Sequence, residues 1–163
     1  MPARTGQQYI AGLQAQDREV WLRGERVKDV TTHPGLANGV RTIAALYDMQ
    51  HDPALRDAMT YASPTSGDRV GLSFIIPRTK DELEQRRTMM LHWARTTCGM
   101  VGRSPDFMSV TFAAWAAAAD YFAQNRPEFG QNVRRYYEHI REHDLTLTHS
   151  LINLQKSRTV SGA

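Results

Sequence analysis

From Leu145 onward the chain changes period. Leu145, Leu147, His149 and Leu151 alternate with Thr146, Thr148 and Ser150, the two-residue repeat of an extended strand. A strand with an apolar face needs a neighbour, because an unpaired edge leaves its N–H and C=O groups open. The residues before it are patterned for helices and offer few partner strands. This constrains the fold to a mainly α domain over 1–144, followed over 145–163 by the start of something built from sheet.

The helical pattern is read from starts, stops and periodicity. Thr5 caps a first helix to about Gln16, with Tyr9, Ile10 and Leu13 on one side. Residues 19–22 and 25–28 flank Arg23-Gly24 and predict a small β-hairpin. Pro34 opens a helix in which Leu36, Val40, Ile43 and Tyr47 recur at helical spacing. Asp52-Pro53 starts a short helix to about Met59. Residues 60–68 read as a loop, and Val70, Leu72, Phe74 and Ile76 as an extended segment.

Thr79 and Glu82 form a capping box opening a long helix to about Met100, with Leu83, Met90, Trp93, Ala94 and Thr97 predicted inward. Ser104-Pro105 opens the next helix, with Phe107, Thr111, Ala114, Trp115, Ala118 and Phe122 as its buried stripe. Pro127 begins another, facing Phe129, Val133, Tyr136 or Tyr137, and Ile140 inward.

Composition narrows the function classes. The chain has 163 residues, 41% hydrophobic and 23% charged, enough for a real core and inconsistent with wholesale disorder. Lys+Arg 20 against Asp+Glu 17 leaves +3, spread along the chain, with brief pairs at Arg86-Arg87 and Arg134-Arg135. Nucleic-acid binders concentrate their charge, so no nucleic-acid partner is expected. Val110 to Ala123 is too short and Ala-rich to span a bilayer. Arg4, Gln7 and Gln8 interrupt any apolar signal core. Cys98 is the single cysteine, which excludes an internal disulfide and a Cys-based zinc cage. It fits a reducing, cytoplasmic location.

Few residues carry candidate chemistry. Arg103 stands just before a predicted helix start, where free N–H groups and the dipole favour an anion and the guanidinium adds a planar donor fork. Capping plus a surface arginine explains the same pattern. His149 occupies an apolar-phase position, as a satisfied core residue or as a pocket imidazole able to donate or take a proton. His139 and His143 lie four apart, but Ile140 stands where a metalloprotease has glutamate, so no metal is expected. Cys98 sits near the end of a helix, not its start, and is read as a packing residue. Tyr9, Trp21, Trp93, Trp115 and Tyr136-Tyr137 are read as core.

Taken together, these segments resemble the 4-hydroxyphenylacetate 3-hydroxylase family, the oxygenase components of two-component flavin monooxygenases. The carriers are TGQQYIAGL (5–13), GERVKDVTTHP (24–34), KDEL (80–83), GRSPDF (102–107) and THSLIN (148–153), in family order. The resemblance runs from about residue 5 to residue 158. It implies an acyl-CoA dehydrogenase-like N-terminal helical domain, with a C-terminal strand leading into a β-domain that lies beyond the residues given. Family members are much longer. Residues 1–163 by themselves are therefore expected to turn over no phenol, and the tetramer-forming bundle is expected elsewhere in a full-length homotetramer.

The resemblance also implies chemistry. Reduced FAD, supplied by a separate flavin reductase component, forms a C4a-hydroperoxide that hydroxylates a phenol ortho to its hydroxyl. Arg103 matches the arginine on the phenolic oxygen, and His149 the histidine at both substrate and flavin. Phe107 replaces a common substrate-contacting tyrosine. Ser150 and Leu151 fall in the flavin-contacting strand, and Gln155, Lys156, Ser157 and Arg158 in the loop beside the flavin. Phe107 lacks the hydroxyl, pointing to a phenol other than 4-hydroxyphenylacetate. Leu154 and Ser157 replace a usual proline and aspartate. The related 4-hydroxybutyryl-CoA dehydratases carry an iron–sulfur cluster on two cysteines four apart in this region. Here Cys98 is followed by Gly102 at the second place, which argues against a cluster. The alternatives to a hydroxylase are that dehydratase branch and a non-catalytic helical interaction module.

Overall fold

The computed structural model describes residues 3–100 and 106–149. Helix α1 spans Gly6–Gln14, hairpin strands β1 and β2 span Val20–Leu22 and Glu25–Val27, and α2 spans Ala37–Asp48. Thr5 caps α1 with a full capping box: its hydroxyl accepts the Gln8 N–H at 3.1 Å, and the Gln8 side chain accepts the Thr5 N–H at 2.9 Å. Gly6 lets α1 lie on α2, since a Cβ there would stand 2.5 Å from the Ala44 carbonyl oxygen. The hairpin turns through Arg23 and Gly24, both at positive φ, as a two-residue turn matched to strand twist requires.

Two short elements differ from expectation at their edges. Pro34 initiates a turn, and α2 proper begins at Ala37. Asp52 caps its turn as expected, its Oδ1 accepting the Ala54 N–H at 2.8 Å, but α3 covers only Arg56–Met59. Residues 60–68 are not simply a loop. Strand β3 (Thr60–Ala62) pairs antiparallel with β4 (Arg69–Gly71) around a tight connection. The apolar run after it is strand only through Gly71; Leu72–Phe74 form a 3₁₀ turn buried on all sides, so alternation is lost.

Helix α4 (Lys80–Thr96) starts on the Thr79–Glu82 box, buries Met89 and Trp93, and leaves Leu83 half exposed, against expectation. With Leu46, Met59, Leu72 and Ile75 these form the first core. Helices α5 (Asp106–Ala117), α6 (Ala119–Ala123) and α7 (Pro127–Glu142) form the second, around Phe74, Ala113, Ala116, Tyr137 and Ile140. The buried face of α5–α6 carries Met108, Ser109, Ala113, Ala116 and Ala119, while Phe107 and Trp115 are exposed. The predicted aromatic stripe is therefore the outer face. Between α6 and α7 the approach is close: a Cβ on Gly130 would stand 2.6 Å from the Ala119 carbonyl oxygen, so only small residues fit there. Exposed Trp115 and Tyr136 pack edge-on against half-buried Phe112, at 4.9 Å and 5.0 Å. Trp21 is exposed too, whereas Trp93 and Tyr137 are core as expected.

Glu142 ties α7 to the β3–β4 connection. Its carboxylate accepts from the Ser63 and Ser66 hydroxyls, each at 2.6 Å, and from Arg141 Nε at 2.8 Å. Burial pushes this carboxyl up, but the three donors outweigh it and hold it below the usual range. A depressed carboxylate stabilises the fold above the unfolded value and loses that contribution as pH falls through the folded value. Glu142→Gln is expected to cost about 1–2 kcal/mol at pH 7. The cost should shrink as the pH falls below the ordinary carboxylate range. Denaturant unfolding at neutral and acid pH checks this, and a pH-independent difference would contradict it.

Candidate functional site

Two chain segments leave the helical body by the same device. At the end of α4, Cys98 adopts φ 53° and Gly99 φ 81°, and the Gly99 N–H returns to the Ala94 carbonyl at 2.8 Å. At the end of α7, Asp144 adopts φ 46°. Its N–H bonds the Arg141 carbonyl at 3.2 Å, and the Leu145 N–H bonds the Ile140 carbonyl at 3.0 Å. Both are left-handed stops that satisfy the last carbonyls and redirect the chain. The first leads through Met100 toward Arg103, the second through Thr148 to His149.

Both segments border one cavity of about 1380 Å³. Its walls are largely apolar: Leu13 from α1, Val20 and Val27 from the hairpin, and Val40 and Ile43 from α2. Thr96, Cys98, Met100 and Thr148 line it as well. Arg18, Lys28 and Asp29 add charge at the hairpin side. Asp29 is held below the usual carboxylate range by the Thr31 hydroxyl and N–H, at 2.7 and 2.8 Å. Tyr9 lies on the wall, its phenol raised by burial despite nearby Arg4 and Arg18.

His149, the last described residue, is exposed and directly follows Thr148 of the cavity rim. Among the described residues it is packed in neither core. Phe107 is also exposed, in the first turn of α5, and is not among the cavity residues. Cys98 is exposed on the rim rather than packed inside. Arg103, Ser150, Leu151, Gln155, Lys156, Ser157 and Arg158 lie outside the described residues. His139 and His143 stack at 4.4 Å on the exposed face of α7. Among the described residues no three histidine, cysteine or acidic side chains come together as a metal cage. No helix there is long and apolar enough to cross a membrane.

Sequence reasoning missed the corner that supports the His149 segment. Asp144 is fully buried, and burial pushes its carboxyl above the usual range against the Gln50 and Arg4 donors that favour the anion. Residues 145–149 form no paired strand within the described residues; Leu145 and Leu147 pack instead against the second core. No local pattern announces Arg4, Tyr47, Gln50 and Asp144 as neighbours, since they are far apart in sequence.

A two-core helical body that releases an extended segment beside an apolar cavity defines the class: the acyl-CoA dehydrogenase-like N-terminal domain. The fold is shared with an oxygen-tolerant archaeal 4-hydroxybutyryl-CoA dehydratase, at TM-score 0.75 and 18% identity over 88% of this chain and 28% of that one. Within that class, residues 5–163 match the model described as 4-hydroxyphenylacetate 3-hydroxylase N terminal, and the chain belongs to that family. It is 47% identical to the 4-hydroxyphenylacetate 3-monooxygenase oxygenase component of Geobacillus sp. (strain PA-9), over 97% of this chain and 32% of that protein. It is 47% identical to the Thermus thermophilus oxygenase component, over 96% and 31%. A crystal structure of such a component, complexed with FAD and 4-hydroxyphenylacetate, superposes at TM-score 0.86 with 46% identity, covering 98% of this chain and 32% of that one. The chain thus spans about a third of the length of the relatives it matches.

Proposed function

We propose that this chain is the N-terminal part of the oxygenase component of a two-component aromatic monooxygenase that hydroxylates a phenol ortho to its hydroxyl. The observation that carries this is the convergence of the Met100 and Thr148 segments on one apolar cavity, because these segments lead to the two residues, Arg103 and His149, whose chemistry suits a phenolic oxygen. The apolar walls and the single exposed imidazole beyond Thr148 fit a flat aromatic guest. The residues assigned to FAD, His149 to Leu151 and Gln155 to Arg158, begin directly after Thr148. Bound reduced FAD, delivered by a separate reductase, supplies the electrons and the place where dioxygen is activated.

The chain's own residues prepare the substrate. His149 takes the phenolic proton, and Arg103 holds the resulting phenolate through two N–H donors. Negative charge on that oxygen raises electron density at the ortho carbon. Val, Leu, Ile and Met side chains keep water from the reacting atoms, which strengthens both contacts. Phe107 lies outside the cavity lining and lacks a tyrosine's hydroxyl, so it offers the substrate no hydrogen bond, and a phenol other than 4-hydroxyphenylacetate suits the site better. Assembly as a homotetramer, through residues beyond this chain, and a cytoplasmic location complete the reading.

The protein as its source makes it, supplied with a flavin reductase, NADH and FAD, is expected to convert members of a phenol panel to catechols, read by mass spectrometry. No catechol from any phenol, with no affinity for reduced FAD, would overturn the proposal.

A further inference from the structure

We propose that Asp144 is a positioning residue of this site: its carboxylate and main-chain carbonyl, gripped by Arg4, Gln50 and Tyr47, set the course of residues 145–149 and hence the place of His149. The inference rests on the reading of His149 as a site residue.

The geometry is that of a clamp closed on both sides of one residue. The Asp144 carboxylate Oδ2 accepts the Arg4 N–H at 3.0 Å and Gln50 Nε2 at 2.8 Å. The Asp144 carbonyl accepts Arg4 Nε at 2.8 Å and the Tyr47 hydroxyl at 3.0 Å. Tyr47 has one proton, which it spends on that carbonyl; its oxygen therefore accepts from Arg4 at 2.8 Å and from the Thr146 hydroxyl. The grip thus extends two residues along the segment that reaches His149.

The clamp is itself held. His51 Nε2 donates to the Arg4 carbonyl at 3.1 Å, and the Arg4 guanidinium lies 4.9 Å from the centroid of the Tyr47 ring. The Ala3 N–H bonds the Arg69 carbonyl at 3.2 Å, anchoring the start of the chain to β4. Gly71 leaves room for the corner: a Cβ there would stand 3.0 Å from Gln50 Oε1 and 3.3 Å from Asp144 Oδ1.

The residue type is informative. Asp144 occupies the left-handed position of a helix stop, where glycine makes the turn without steric cost and without burying a carboxylate. An aspartate there bears two costs, the left-handed backbone and full burial. What it gains over glycine is the carboxylate's hold on Arg4 and Gln50. The turn needs only the backbone, whereas the direction of the following segment needs the grip.

Substitutions separate the two. Asp144→Gly keeps the turn and removes the carboxylate. Asp144→Asn keeps one side-chain oxygen, which can stand where Oδ2 accepts from Arg4 and Gln50, and tolerates the left-handed backbone. Spin labels at Thr148→Cys and Gln85→Cys, in the source-length protein with its native cysteines replaced by serine, report the distance from this segment to α4 by pulsed EPR. Catechol formed per NADH reports coupling. Asp144→Gly is expected to broaden the label distance distribution and lower coupling about tenfold, within the roughly 10²-fold scale of a 1 Å misplacement. Asp144→Asn is expected to keep both near the parent. Leu72→Ala, in the other core, should lower thermal stability and leave both readouts unchanged.

A narrow, unshifted distribution in Asp144→Gly would overturn the inference whatever the activity. If the parent forms no catechol, the proposed function fails while the distance measurement still decides the role of Asp144. If Asp144→Gly does not fold, Tyr47→Phe decides by the same two readouts: a distribution as narrow as the parent's overturns the inference, and a broadened one supports it.

Discussion

Arg103→Ala is expected to lower kcat/KM for phenol hydroxylation by about 10²–10³-fold, the usual cost of removing a donor aimed at developing negative charge in a water-poor site. The argument is electrostatic. A phenolate beside apolar walls has lost its hydration, and a guanidinium with two parallel N–H groups replaces that water with fixed donors. Arg103→Lys should recover part of the loss, since a point charge remains but the fork does not. Arg78→Ala, at an exposed position whose backbone N–H rather than its side chain meets Glu82, should change kcat/KM by less than about twofold. Steady-state hydroxylation by the source-length protein measures all three. Equal effects of Arg103→Ala and Arg78→Ala would remove Arg103 from the site.

His149→Ala is expected to divide the reaction differently. Reduced FAD would still be consumed, because the other residues assigned to it, Ser150, Leu151 and Gln155 to Arg158, remain in place. The phenol would lose the group that takes its proton, a role worth about 10²–10⁴-fold in rate. Activated oxygen would then leave as hydrogen peroxide faster than it reaches the ring. Catechol per NADH should fall about tenfold or more, with peroxide rising in proportion, measured side by side in one assay. Unchanged coupling would leave His149 as an exposed residue at the cavity rim with no part in the chemistry. Asp144→Gly should reproduce this phenotype in weaker form if the clamp places His149. The two variants differ structurally, since only the second disturbs the course of residues 145–149.

Helix existence and type were legible because the signals are local. Thr5 and Thr79 accept N–H groups three residues on, and Pro127 brings a fixed φ and no N–H to the first turn, so each starts or caps the helix expected of it. The Arg23-Gly24 turn is equally local. Which face each helix buries was less legible. On α5 the aromatic positions Phe107 and Trp115 carry more hydrophobic area than Ala113 and Ala116, yet the alanines face the core. Hydrophobicity ranks side chains singly, whereas the face of α5 that is buried is the one that meets Phe74, Tyr137 and Ile140 in the second core. The β3–β4 pair was missed for a similar reason: three-residue strands carry too little periodicity to register against the Gly, Pro and Ser of their connection.

For the site, the residue chemistry was in the sequence and the surroundings were not. Arg103 and His149 stood out as a cation before a predicted helix start and an imidazole in an apolar phase, and the family resemblance implied the roles proposed for them. The cavity, and the clamp of Arg4, Tyr47, Gln50 and Asp144, assemble from residues up to 140 positions apart. Capping boxes, turns and helical periods are short-range preferences of the backbone, so the sequence by itself determined the helical class, the hairpin and the change of period at Leu145. Long-range steric fit and buried hydrogen bonds exist only once the chain is folded. Tertiary structure alone therefore decided the inner face of α5, the exposure of His149 and the corner from which its segment departs.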